Sequence, residues 1–445
     1  MGEEELFEGL PEQVGPLRAG AAGAPRLREP VRDQVELRAV DLESLIGADH
    51  PVRVVWGYVA RLDLRVLEDA IGSREGRAGH PAIAPRLLLA LWLYAISQGV
   101  GSARTLEKLC ERDDAYRWLC GGVSVNYHTL ADFRVAHPSL LDELLVEHVA
   151  SLVAAGVVDF DVLSQDGIRV RASAGASSFR RAPSLHKALK KTRRLVERLK
   201  REIDDDPDAS NRRIAAAKKR AAAEKLVRIE AALAKQTELA AERARRKRKN
   251  AKQTKKQKEP RASTTDPDAR VMKMADGGFR PAYNIQLAGA AEQQVVVAVD
   301  VETKGSDRGR LRPMIERIKA RFRRTPKRYL ADGGFHKNDD IEWAARPANG
   351  PIKVYCPAPK NKHGTDPYAP RPDDGPGVAA WRRRMDSPTG KAIYKRRAPH
   401  ECINARGRSY NLARLLVRGR EKVRSIALWF ALANDILQGH RLLHQ

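Results

Sequence analysis

Apolar residues in the first third of the chain recur at steps of three and four. Between Leu42 and Ala155 the positions Leu87, Leu88, Leu91, Tyr94 and Ala95 repeat in this way, which is the spacing of one buried helical face. Gly99, Gly101, Gly121 and Gly122 divide the region into short helices. Arg104 to Trp118 reads as one helix and Asn126 to Ala136 as the next, with a Gly-rich turn between them. The second carries Asn126, Tyr127, His128, Thr129, Asp132 and Arg134. In a helix-turn-helix such a helix enters the major groove of DNA, although the same pair of helices also fills many small all-α domains.

From Phe160 to Val170 the period changes to that of a strand, β-branched and apolar with interleaved polar residues. Pro183 to Arg261 interrupts the new pattern. Leu185, Leu189, Val196, Leu199 and Ile203, then Leu226, Ile229 and Leu233, fall at helical spacing on either side of the break Asp204 to Asp208. A helical hairpin, coiled-coil in character, accounts for this insertion, whose tail from Arg243 to Lys258 is nearly all basic. That tail reads as a solvated helix face or as a nucleic-acid arm. Strand texture resumes in Ala282 to Ala288 and Gln294 to Val301, a hairpin across Gly289, Ala290 and Ala291. A helix over Arg310 to Phe322, a strand over Lys327 to Ala331, a helix over Asn338 to Ala345 and a strand over Ile352 to Cys356 follow. Beyond a Pro- and Gly-rich loop, Pro357 to Gly377, the remainder reads as helical to Leu443, striped by Leu412, Leu415, Val423, Ile426, Trp429, Leu432 and Ile436. This order specifies an α/β core with an all-α domain before it.

Length and charge narrow the function. The 445 residues suffice for two or three domains. They divide into a loose arm (1–35), a helical domain (36–155), an α/β domain in two pieces (156–182 and 262–445) and the insertion (183–261). With 82 Lys and Arg against 56 Asp and Glu the net charge is +26, which points to a polyanionic partner, nucleic acid before an anionic membrane surface. The apolar run Leu87 to Ile96 is about half of what a bilayer-spanning helix needs, so no membrane span is expected. Cys110, Cys120, Cys356 and Cys402 show neither C-x-x-C spacing nor disulfide-scaffold density, and Met1-Gly2-Glu3-Glu4-Glu5 is no secretion signal. A cytoplasmic, nucleoid-associated protein is expected.

Two aspartates carry the candidate chemistry. Asp166 interrupts the first strand and Asp332 closes the fourth, and a charge in an otherwise apolar strand is costly to bury unless something pairs it. Each precedes a glycine, so each also fits a hairpin turn; for Asp166 the strand residues Ile168 and Val170 continue past it. Tyr394, Arg397, Glu401 and Arg408 share one face when laid on a helix, an arrangement open to a phosphate site or to an ordinary salt-bridged surface. Pro399 starts a helix near itself, which leaves Tyr394 and Arg397 on the preceding turn. There is no H-E-x-x-H and no G-x-x-x-x-G-K-[ST]; His440 and His444 share a helical face without a third ligand. Gly333-Gly334 reads as a sharp backbone turn beside Asp332.

The run Tyr394, Lys395-Arg396, Arg397, Ala398-Pro399-His400, Glu401, six residues, Arg408 resembles the Tyr-x2-Arg-x3-Glu-x6-Lys signature of bacterial insertion-sequence DDE transposases, with Arg in the last place. Thr265 to Arg270, Tyr283-Asn284, Trp381 to Met385 and Arg418-Gly419 are also similar, nearest the IS-eleven-eighty-two-like group of the IS-five-like superfamily. The resemblance implies a ribonuclease H-like mixed sheet flanked by helices. It makes Asp166, Asp332 and Glu401 both the catalytic residues and the ligands of two Mg²⁺ ions, with Mn²⁺ able to substitute. Asp166 would bridge the ions. Tyr394, Arg397 and Arg408 would meet DNA. The implied partners are the terminal inverted repeats of the protein's own element and target DNA, held by a dimer or larger assembly. Two alternatives share these residues: a catalytically inactive DNA-binding relative, and a metal-dependent nuclease without strand transfer.

Overall fold

Ten residues, Val162–Arg171, form the strand around which the rest is arranged. A computed structural model describes residues 35, 39, 41–76, 80–205, 209–249, 259–359 and 366–445. The expected arm lies outside the described residues apart from Val35, as does the basic tail beyond Lys249.

In chain order the strands are β1 (Val162–Arg171), β2 (Phe179–Arg180), β3 (Ala262–Ser263), β4 (Arg270–Lys273), β5 (Phe279–Ala290), β6 (Val295–Glu302), β7 (Arg328–Ala331) and β8 (Lys353–Tyr355). The main sheet runs β4-β5-β1-β7-β8, with β6 also paired to β5. β1 is antiparallel to β5 and parallel to β7, and β7 is parallel to β8, so the sheet is mixed. β5 and β6 are buried on both faces, which is why their sequences run Val, Ile, Leu and Ala with little alternation.

The helices before the sheet are α1 (Pro51–Ala60), α2 (Arg65–Glu68), α3 (Pro85–Ser97), α4 (Ala103–Arg112), α5 (Asp114–Cys120), α6 (Tyr127–Ala136) and α7 (Pro138–Ala154). α8 (Ala182–Asp205) and α9 (Ala209–Lys249) make the insertion. After them come α10 (Leu311–Phe322), α11 (Asn338–Ala345), α12 (Pro376–Asp386), α13 (Pro388–Lys395), α14 (His400–Ser409) and α15 (Arg420–Leu443). α15 is buried almost all round from Val423 to Ile436, the mark of an interior helix. It lies against α1, α3, α6 and α7 on one side and β6 on the other, and the apolar side chains of all of them form one continuous core. Among the described residues no helix is long and apolar enough to cross a membrane.

The insertion pairs its two helices in opposite directions. Leu185 meets Ala232 and Leu233 near the sheet, while Val196 and Leu199 meet Ala222 and Leu226 farther out. An ion pair of 2.9 Å between Arg193 and Glu230 crosses the seam.

Several expectations from spacing are corrected. Arg104 to Trp118 is two helices, because the Asp113 carboxylate accepts from the N–H groups of Ala115 and Tyr116 and caps a new start. β5 runs on through Gly289 and Ala290, and the turn falls at Ala291 to Gln294. Gly289 sits at a bulge where a Cβ would come 2.3 Å from the Val295 carbonyl oxygen, so its glycine serves close strand approach and not the turn. Leu412 and Leu415 are buried in an irregular stretch between α14 and α15, not on a helix.

Candidate functional site

Register brings the two aspartates abreast. Gln165 on β1 stands opposite Ala331 on the parallel strand β7, and the next residues along the two strands are Asp166 and Asp332. The carboxyl ends of adjacent parallel strands are where α/β sheets place their ligands. Asp166 is held inside the strand, with its side chain 14% exposed. The following glycine makes room for a polar cluster: a Cβ on Gly167 would stand 2.5 Å from Asp307 Oδ1 and from Gln286 Nε2. Asp307 is fixed there by the amides of Asn284 and Gln286, which donate over 2.6 and 2.7 Å.

Asp332 caps the 3-10 turn Gly333–Phe335 by accepting from Gly334 N–H at 2.7 Å. A Cβ on Gly334 would press to 2.9 Å from the same carboxylate oxygen, and neither Gly333 nor Gly334 has a positive φ. Gly334 therefore leaves room for the carboxylate, and the expected sharp turn is this 3-10 turn, made without a positive φ. Below, the Cys356 thiol donates to the Asp332 carbonyl oxygen at 2.9 Å.

The signature is folded as two helices and a turn. Tyr394 lies in the last turn of α13, Arg397 occupies the connecting turn, and Glu401 lies in the first turn of α14. Arg397 stands between two acids, donating to Asp166 Oδ2 at 3.2 Å and to Glu401 Oε1 at 3.3 Å. Burial raises the pKa of Tyr394, while the nearby Arg397 charge pulls it down. Burial pushes Asp166 up to about 6; the nearby charges of Asp332 and Glu401 push the same way, while Arg397 and the Gly167 N–H pull down.

Three contributors escape a reading of the sequence. Asn404, one turn after Glu401, donates to Asp166 Oδ2 at 3.0 Å. His400 is fully buried with Nδ1 2.6 Å from Ser164 Oγ, and burial, then Arg397, push its pKa down to about 3. Asp307 lines the same open groove of about 440 Å³ as Asp166, Asp332 and Arg408. The i, i+3 step from Glu401 to Asn404 is a usable signal; nothing local marks Asp307.

The α6 residues lie elsewhere. Asn126 caps α6 through the Thr129 N–H at 2.9 Å, and both residues line a separate cleft of about 530 Å³ with His80 and Ser124. His128 is exposed, and the Tyr127 ring lies 4.8 Å from the Arg104 guanidinium. Arg134 is corrected: it is buried, bonded to the Gly101 carbonyl oxygen and 4.8 Å from the Trp92 ring, so it does not face a ligand.

Three of the other four similar fragments meet at Asp266, and the fourth packs on the strand end beside Asp332. Asp266 Oδ1 accepts from the Tyr283 hydroxyl at 2.7 Å and from Gly419 N–H at 3.2 Å, and Trp381 Nε1 donates to the Cys356 carbonyl oxygen at 3.1 Å.

The donors around the groove are carboxylate oxygens, which suit a hard divalent cation in kind. Among the described residues no three Asp, Glu, His or Cys side chains stand close enough to enclose one. The positive charge between Asp166 and Glu401 is Arg397 itself.

Residues 40–136 match the family model described as Transposase domain (DUF772), and residues 251–434 match Transposase DDE domain. The second match contains Asp332, Tyr394, Arg397, Glu401 and Arg408, while Asp166 lies upstream of it, across the helical insertion. No curated protein and no solved structure matches the chain. Two transposase models in sequence order, which together take in more than half of the chain, place it in the family of DDE transposases of insertion sequences.

Proposed function

We propose that this transposase cuts DNA at the terminal inverted repeats of its element and joins the freed 3′ ends to target DNA, using Asp166, Asp332 and Glu401 on a ribonuclease H-like core. The observation that carries the reading is the pairing of Asp166 on β1 and of Glu401 on α14 with the same Arg397, with Asp332 beside Asp166 at the end of the parallel strand β7. The three acids would hold Mg²⁺ or Mn²⁺ only after drawing closer than they stand here, with Arg397 displaced from between Asp166 and Glu401. Divalent ions held there would make a water or a 3′-OH more nucleophilic and would stabilise the leaving oxygen.

The chain's own residues supply the rest. Asn404 and the Gly167 N–H fix the orientation of the Asp166 carboxylate. Arg397 carries its charge at the place where a scissile phosphate meets the acids, and Arg408 presents another cation at the groove wall. Asn126, Tyr127, His128 and Thr129 are the α6 residues placed to meet the element's ends, and a dimer or larger assembly would bring two ends together.

The test is a gel assay with supercoiled donor plasmid bearing the sequences that flank the gene. Wild-type protein with Mg²⁺ should give nicked and joined products. Asp166→Ala, Asp332→Ala and Glu401→Ala should each give neither while still shifting end DNA. Nicking without joining would favour the nuclease reading, and wild-type binding without nicking the inactive one.

A further inference from the structure

Two short segments separate the catalytic groove from a second cavity. Asp307 faces the groove of Asp166 and Asp332, while its neighbours Ser306 and Arg308 line a cavity of about 710 Å³. The same switch occurs one loop away, where Asp332 faces the groove and Gly333 and Gly334 line the cavity. The reacting carboxylate thus stands in a wall only one residue thick, with space on both sides.

The cavity is basic. Arg308 and Arg371 line it and are exposed. Lys337 adds a charge, paired to Asp340 at 3.1 Å, and Arg382 is buried in its floor, anchored to Asp374. The imidazole of His336, also in the lining, is held below its ordinary pKa by burial and then by the convergent charges of Arg308, Arg382 and Arg371. Against these stands Asp339 on the rim.

Resting on the function proposed above, we infer that this second cavity seats the backbone of target DNA, while the groove of Asp166 and Arg408 seats the element end. Joining requires two DNA backbones to meet at one set of carboxylates. The 3′-oxygen of the element end forms a bond to a target phosphorus, and the bond from that phosphorus to the target's own 3′-oxygen breaks. The attacking hydroxyl gives up its proton, and the leaving oxygen takes one. Two DNA paths sharing Asp332 as their common wall satisfy this; a single groove would have to hold both backbones side by side. Arg308 and Arg371 would meet target phosphates irrespective of sequence, since phosphate contacts carry no base information.

The experiment separates cleavage from joining in the full-length protein. The double variant Arg308→Ala/Arg371→Ala should cut end DNA at a rate within about twofold of wild type, and join pre-cut ends to a plasmid target at least about tenfold more slowly. Arg308→Lys/Arg371→Lys should recover most of the joining. Binding of random-sequence duplex by the Ala variant should show a log affinity against log salt slope shallower by about 0.9 for each phosphate that the protein no longer neutralises. Unchanged joining, or cleavage and joining that fall together, overturns the assignment of the cavity to target DNA. If the wild-type protein cuts no ends at all, the proposed function falls separately. The salt slope then decides the cavity alone: an unchanged slope removes DNA from it, and a shallower one keeps it there.

Discussion

Asn404 donates its side-chain N–H to Oδ2 of Asp166 over 3.0 Å, so helix α14 grips the acid of β1 directly as well as through Arg397. Hydrogen bonds to charged groups contribute about 1.5 to 3 kcal/mol. Asn404→Ala should therefore slow end cleavage by roughly ten- to a hundredfold, and move the acid limb of the pH–rate profile upward, because Asp166 loses a partner that favours its ionised form. Its other side-chain atom, Oδ1, is buried without a partner, so the cost to the fold should be limited to about that one bond. Single-turnover cleavage across pH, with a melting curve as control, checks both statements.

Arg397 occupies the space in which Asp166 and Glu401 would share a cation. Removing it leaves like charges facing one another. Arg397→Ala should melt lower than wild type in EDTA and gain more from added Mg²⁺, because the ion then neutralises acids that no longer have a competing partner. Cleavage should fall despite the better ion binding, as the phosphate loses its cationic partner. Thermal unfolding with and without Mg²⁺ is the measurement, and an equal gain for both proteins would refute the competition.

The elements that carry the aspartates are legible because each is a short apolar run whose period is unmistakable. Asp166 stands out as a charge within one. Their adjacency is not legible, since it depends on β1 pairing with β7 across the whole insertion. The break inside the signature is readable from Pro399, which lies just before α14. The split at Asp113 is hidden because an N-cap competes with a helical period that runs smoothly across it. The second cavity is illegible for a simpler reason: Arg308, Lys337, Arg371 and Arg382 come from separate segments and look like ordinary surface charge.

Arg134 illustrates a signal present but outweighed. It follows Leu130 by four residues, and both are buried on the same face of α6. Its charge suggests DNA; its spacing points inward. The main-chain oxygen of Arg134 accepts from Ser425 Oγ at 2.8 Å and Trp429 Nε1 at 2.9 Å, which ties α6 to α15. Arg134→Ala should destabilise the protein by about 2 to 4 kcal/mol by removing its packing on Trp92 and its bond to Gly101. The exposed His128→Ala should change stability by less than about 0.5 kcal/mol while weakening binding to the element's ends. Denaturant midpoints and gel shifts on folded protein separate the two roles.

Asp166 also governs how stability depends on pH. Its pKa rises from the ordinary 3.8 to about 6 on folding, chiefly through burial, so the native state binds this proton more tightly than the unfolded chain does. The stabilisation is complete below about pH 3.8 and is lost as pH rises through about 6. Above that, the native protein holds an ionised carboxylate in a place that favours the neutral form. Asp166→Asn copies the neutral form at every pH. It should raise stability at pH 7 to 8 by up to about 3 kcal/mol, the equivalent of roughly two pKa units, less whatever Arg397 loses with its partner. Below about pH 4 the variant and wild type should melt together, and at no pH should the variant cleave DNA. A melting-temperature difference that stayed constant from about pH 4 to pH 8 would show that burial of the charge is not what the site costs the fold.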